Sequence, residues 1–171
     1  LGDVYKRQAQ LMRDFGSTPA PISSWIMGMH LESLGVRMER HCANAQKVAE
    51  WLAADPRVSW VSFPGLETDK YHALAEKYMP NGTCGVISFG VPGGREKVSA
   101  FLDHLKMVSI ATHVADARSC TLYPAGTTHR QLTEEQLEEA GVGIDLVRLS
   151  CGIENTADII ADLDQALAAV Q

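Results

Sequence analysis

One pattern restricts the fold more than any other. From Val36 onward, Met38, Cys42, Ala45, Ala49 and Leu52 recur at spacings of 4, 3, 4 and 3, which predicts a long helix with one apolar stripe. Asp55-Pro56 ends it, because the residue before a proline is pushed out of the helical region. Short apolar runs then alternate with helical patterns to the end of the chain. Strands are predicted at Val58–Phe63, Gly85–Val91, Val108–Thr112 and Leu146–Cys151, with a brief one near Thr121-Leu122. Helices are predicted over 69–78, with Tyr71, Leu74, Ala75 and Tyr78 on one side, and over 95–107, with Val98, Phe101, Leu102 and Leu105. A capping box at Thr133-Glu134-Glu135-Gln136 starts a short helix reaching about Ala140. Asn155 caps the last helix, which carries Ile160, Leu163, Leu167 and Val170. Before the long helix, Ser17-Thr18-Pro19 marks the start of a helix over 17–34, with Ile22, Trp25 and Met29 on one face and Gly35 as the interruption. Strands alternating with helices in this way read as an α/β sandwich: a small mixed or antiparallel sheet with helices on one face.

Three stretches of the 171 residues differ in character. Residues 1–10 match nothing that follows in periodicity and are expected to be a non-native leader, similar to translated adaptor sequence. Residues 11–54 end in the long helix, and 55–171 form the α/β domain. The chain is expected to be the C-terminal portion of a longer protein. With 15 Lys+Arg against 21 Asp+Glu the net charge is −6, which argues against binding nucleic acid or an anionic membrane, both of which need a cationic surface. No apolar run is long enough to span a bilayer. Cys42, Cys84, Cys120 and Cys151 form no C-x-x-C pair and are expected to be reduced thiols of a cytoplasmic protein, serving as small hydrophobes. The six histidines show no metal-ligand spacing; His30 and His41 are expected on helix surfaces. Met27, Met29 and Met38 are expected in the core.

Two regions could carry chemistry. In the last strand Val147, Leu149 and Cys151 alternate with Leu146, Arg148 and Ser150, so Arg148 lies on the face away from the apolar packing. A guanidinium there is either a solvated charge paired with a surface acid or a fork for a carboxylate. Residues 113–132 are polar and irregular; they form either a surface loop or a functional one held by the sheet. Gly93-Gly94 before a helix lacks a phosphate-binding pattern and reads as a turn.

The residues also carry a family resemblance. Val147-Arg148-Leu149-Ser150-Cys151-Gly152-Ile153-Glu154, followed by Asp158-Ile159-Ile160-Ala161-Asp162-Leu163, resembles the C-terminal signature of the Cys/Met-metabolism pyridoxal-phosphate (PLP) enzymes. Ala115-Asp116-Ala117-Arg118-Ser119 and Tyr123-Pro124-Ala125-Gly126-Thr127-Thr128-His129 resemble two further motifs of the family. Leu31–Leu34, Arg37-Met38, Arg40-His41 and Ala45 to Ala49 resemble its interdomain helix; Phe63–Leu66 and Gly85–Gly90 also fit. The resemblance covers roughly residues 11–171. It implies the small C-terminal domain of a fold-type I PLP transferase, a homotetramer acting on a small amino-acid substrate. Asn81–Gly94 and Thr127–Leu132 are most similar to the branch that makes homocysteine and acetate from O-acetylhomoserine and sulfide. Other branches, cystathionine γ-synthase, cystathionine γ-lyase and methionine γ-lyase, stay open.

Carried over by residue, the resemblance implies that Arg148 holds the substrate α-carboxylate. His113 stands where the family has a short polar residue aiding the same contact, and Thr128 matches a threonine near the substrate. Tyr123 stands in place of the usual His, Gly126 of Ser, and Ala115 of Gly. The Schiff-base lysine lies upstream in the family, and none of Lys6, Lys47, Lys70, Lys77, Lys97 and Lys106 has its Ser/Thr-rich context. No catalytic residue is therefore expected in this chain, which alone should be inactive. Its face toward the missing part should leave it prone to aggregation. Two other readings compete: a stand-alone amino-acid-binding module using Arg148 and the 113–132 loop, and an interaction domain whose sheet face is an oligomer surface.

Overall fold

The structure, a computed structural model, describes residues 2–16 and 18–170. Two compact units divide between Gly35 and Val36. The first holds α1 (Gly2–Phe15) and α2 (Pro21–Glu32). The start signal at Ser17 lies outside the described residues. The helix begins instead after Ala20, with Pro21 at the first helical position, where its missing N–H is no loss. No residue of α2 is buried. Ile22, Trp25, Ile26 and Met29, at i, i+3, i+4 and i+7, are exposed by 43% or more. Met27 and Met29 are therefore not core residues in this chain, and Met38 is 36% exposed. Apolar periodicity marks a face, but does not say what covers it.

The second unit opens at Val36, within α3 (Leu34–Ala54). The break from α2 falls at Ser33, and Gly35 lies inside α3 rather than interrupting it. The buried face is His41, Asn44, Ala45, Val48, Ala49 and Leu52, rotated from the predicted stripe toward two polar residues. His41, expected at the surface, is 1% exposed. Its Nδ1 donates to the Cys151 carbonyl at 2.6 Å, while Nε2 is buried without a partner among the described residues.

After α3 follow β1 (Val61–Ser62), α4 (His72–Tyr78), β2 (Val86–Gly90), α5 (Gly94–Asp103) and β3 (Ser109–Ile110). Then come β4 (Cys120–Leu122), a 3₁₀ turn at Pro124–Gly126, α6 (Glu134–Glu139), β5 (Leu146–Ser150) and α7 (Thr156–Ala168). The strands form one mixed sheet in the order β1-β2-β5-β4-β3, antiparallel except for the β3/β4 pair. Ile87 and Phe89 of β2 and Val147 and Leu149 of β5 are fully buried among Val48 and Leu52 of α3, Phe101 of α5 and Ile159 and Leu163 of α7. Phe89 and Phe101 meet edge to face at 6.1 Å, a favoured aromatic geometry.

Local signals set most boundaries. Thr133 Oγ1 accepts the Gln136 N–H while Gln136 Oε1 accepts the Thr133 N–H, the predicted capping box. Asn155 Oδ1 accepts the Ala157 N–H. Gly93 and Gly94 have φ of 108° and 79°, which glycine tolerates best; the turn precedes α5. On α4 only Ala75 is buried, whereas Tyr71, Leu74 and Tyr78 are more than half exposed. In α7 the buried apolar face is Ile159, Leu163, Ala166 and Leu167, with Ile160 and Val170 half-buried at its edge. Cys120 and Cys151 are buried, Cys42 and Cys84 half-buried, and all four are free thiols. Burial pushes the Cys151 thiol up to about 12.

Candidate active site around Arg148

Arg148 sits in the middle of the sheet, opposite Ser88 of β2 and Leu122 of β4. Its Nη2 donates to the Thr112 carbonyl at 3.1 Å and to the His113 carbonyl at 3.5 Å. Its Nε is shut from solvent and has no partner among the described residues. An orphaned buried donor on a charged group is costly. No side-chain acid pairs with Arg148 among the described contacts.

His113 is brought to Arg148 through its carbonyl, while its ring turns to Asp116: Nδ1 donates to Oδ2 at 3.1 Å. Asp116 also accepts the Arg118 N–H at 3.0 Å. The backbone bond from Arg118, then the His113 bond, hold the Asp116 carboxyl at about 2. Ala115 between them has φ of 58°, a left-handed conformation that glycine takes more readily, and its N–H donates to Ser150 Oγ at 3.1 Å. Thr128 is exposed, and its Oγ1 lies 2.9 Å from His129 Nδ1. No described hydrogen bond links Thr128 to Arg148, so the two meet only through the β4 strand end and the turn after it.

The rest of the 113–132 stretch is less of a loop than its polarity suggests. Ser119, Thr121 and Tyr123 are buried. Glu154 accepts the Ser119 N–H at 2.6 Å and its hydroxyl at 3.0 Å, and Ser119 Oγ accepts the Gly152 N–H. A Cβ on Gly152 would meet the Ala117 carbonyl at 2.5 Å, so only glycine fits there. Asn44 of α3 donates to the Gly152 and Glu154 carbonyls, and Arg40 also donates to Glu154. The Cys-Gly-Ile-Glu part of the signature is thus a latch tying β5 to α3 and to the start of β4. Sequence reasoning missed Asn44, His41 and Ser119 as latch residues; the i, i+3 spacing of two polar residues on an otherwise small-residue face was the available signal. A cavity of about 550 Å³ between α3, α4 and the 79–83 turn shares no residue with Arg148 and its neighbours.

Lys47 lies on α3, Lys97 on α5, and Lys70 and Lys77 lie over the Tyr71 and Tyr78 rings; none contacts Arg148, His113 or Thr128 among the described residues.

A central-strand arginine with an unpartnered Nε, followed by the Cys-Gly-Ile-Glu latch, is accompanied by a direct match. The chain belongs to the Cys/Met metabolism PLP-dependent enzyme family, whose model matches residues 2–168 and so takes in residues 2–10, set aside above as a leader. Among its relatives, it is 44% identical over 165 residues to the O-acetyl-L-homoserine sulfhydrylase of Leptospira meyeri. It is 44% identical over 167 residues to the homocysteine synthase of Schizosaccharomyces pombe. These alignments cover 96% and 98% of this chain but 37% and 39% of those proteins. A crystal structure from Campylobacter jejuni, described as an O-acetylhomoserine (thiol)-lyase with an N'-pyridoxyl-lysine-5'-monophosphate, superposes with a TM-score of 0.85 at 39% identity. The overlap is 92% of this chain and 37% of that one. The chain therefore spans about two fifths of the length of the relatives it matches.

Proposed function

We propose that the chain is the C-terminal part of a PLP-dependent γ-replacement enzyme that converts O-acetylhomoserine and sulfide to homocysteine and acetate. The observation that carries this reading is the partnerless, buried Nε of Arg148 on the central strand. Arg148 receives the substrate α-carboxylate through its guanidinium, with Nε as the unpartnered donor, in a charge-assisted contact. The carbonyls of Thr112 and His113 hold Nη2, so the guanidinium is oriented before substrate arrives. His113, held by Asp116, and Thr128 line the same substrate. Substrate binding and orientation are this chain's share; the cofactor-bonding lysine belongs to the remainder of the enzyme. In the complete protein α3 acts as the interdomain helix, with 55–171 as the small domain. The complete protein is a cytoplasmic homotetramer with no nucleic-acid or membrane partner; among the described residues no helix is long and apolar enough to cross a membrane.

The test uses the full-length enzyme, supplied with O-acetylhomoserine and either sulfide or cysteine. Homocysteine formation from sulfide supports the reading; preferential use of cysteine moves it to the cystathionine-forming branch. The isolated chain, treated with PLP and borohydride, is expected to gain no label at a single lysine. A stoichiometric label at one lysine would overturn that part.

A further inference from the structure

The two departures at 123 and 126 occupy the same space. A Cβ built on Gly126 would lie 2.5 Å from Cδ1 and 2.6 Å from Cε1 of the Tyr123 ring, far inside van der Waals contact. The ring is held there at both ends. Its hydroxyl donates to the Ile144 carbonyl at 2.8 Å, just before β5. Its backbone carbonyl accepts the Thr127 hydroxyl at 2.6 Å and the Gly126 N–H at 3.2 Å. Tyr123 follows Leu122, the register partner of Arg148. A buried, doubly tethered ring therefore bridges the strand end beside Arg148 and the turn that presents Thr128.

We infer that Tyr123 is a positioning residue that sets where Thr127 and Thr128 stand relative to Arg148, and that Gly126 is its obligatory complement. Tyr123 touches no substrate in this arrangement; it acts through the turn. A side chain at 126 and the tethered phenol ring at 123 exclude each other, whereas an imidazole at 123, with no hydroxyl to hold it to Ile144, can turn away from a hydroxymethyl group at 126. The functional weight of this pair rests on the reading of Thr128 as a substrate contact, but the coupling itself does not.

Both parts can be tested on the full-length enzyme without substrate, so failure here is separable from failure of the proposed activity. Gly126→Ser is expected to lower the thermal midpoint by roughly 5 °C or more, the range for forcing atoms into a packed site. The same change in a Tyr123→His background is expected to cost at most a small part of that. Equal losses in the two backgrounds would overturn the coupling. If Gly126→Ser alone does not fold, folding of the double variant supports the pair, and its failure to fold overturns it. Tyr123→Phe removes the hydroxyl's bond to Ile144 and its interaction with Arg95. It is expected to leave the fold intact while shifting the Thr127, Thr128 and Arg148 amide resonances. Shifts confined to the 144 region would show that the phenol anchors the strand entry without positioning the turn.

Discussion

Arg148 reaches its place by strand alternation, and its chemistry is set by what its neighbours leave open. Thr112 and His113 take up Nη2, and Nε stays free. Arg148→Ala in the full-length enzyme is expected to raise KM for O-acetylhomoserine by about 10- to 150-fold, the equivalent of losing a charge-assisted contact of about 1.5–3 kcal/mol. Arg148→Lys is expected to recover little, because an ammonium lacks the planar fork. An unchanged KM in the alanine variant would remove Arg148 from the site. Ala115 offers a second test. Its φ of 58° costs about 1–2 kcal/mol for a residue with a Cβ, while glycine loosens the unfolded chain by about 0.4–1 kcal/mol. Ala115→Gly is expected to stabilise the chain by about 0.5 kcal/mol in urea titrations; a loss would show that the surrounding bonds have absorbed the strain. Alternation along β5 made Arg148's face legible in advance. The Nε vacancy, the His113–Asp116 pair and the strain at Ala115 depend on contacts between residues that no local pattern relates.

Elements are joined here by polar side chains that serve backbone groups. Asp162 on α7 accepts the N–H groups of Lys106, Met107 and Val108 at 2.8–2.9 Å, pinning the link between α5 and β3. Burial alone would raise its carboxyl, but the three backbone bonds outweigh this and hold it below the usual range. A depressed carboxylate contributes stability that is present above its unfolded value, about 3.9, and is lost as pH falls through the folded value. Asp162→Asn is therefore expected to destabilise the chain at pH 7 and to remove part of the decline below about pH 4. An identical acid limb in wild type and variant would exclude Asp162 as a contributor. Thr133→Ala is expected to cost about 1 kcal/mol through loss of the α6 cap, read as a drop in the thermal midpoint. Both caps, at Thr133 and Asn155, were readable because capping is local. The face of α3 was misjudged because His41 and Asn44 look like surface residues until Cys151, Gly152 and Glu154 supply their partners.

Taken whole, the chain leaves apolar surface uncovered. Ile22, Trp25, Ile26 and Met29 form one exposed helical face, and Tyr71, Leu74 and Tyr78 lie exposed on and just before α4. Contiguous apolar surface of this kind marks an interaction face or an aggregation liability. The isolated chain is expected to self-associate with rising concentration in sedimentation velocity. Replacing Ile22, Trp25, Ile26 and Met29 by Gln is expected to keep it monomeric; undiminished association in that variant would shift the liability to the α4 face.

The α/β class, the helix and strand order, both caps and the sheet face of Arg148 follow from periodicity, punctuation and alternation, which act over a few residues. The family follows from motifs that keep their order along the chain. Which apolar stripe is buried, why His41 and Asn44 are inside, how Glu154 and Ser119 close the latch, and why Tyr123 goes with Gly126 are different. Each depends on which distant segments come within hydrogen-bonding or van der Waals reach, and that is settled only when the sheet closes over α3 and α7.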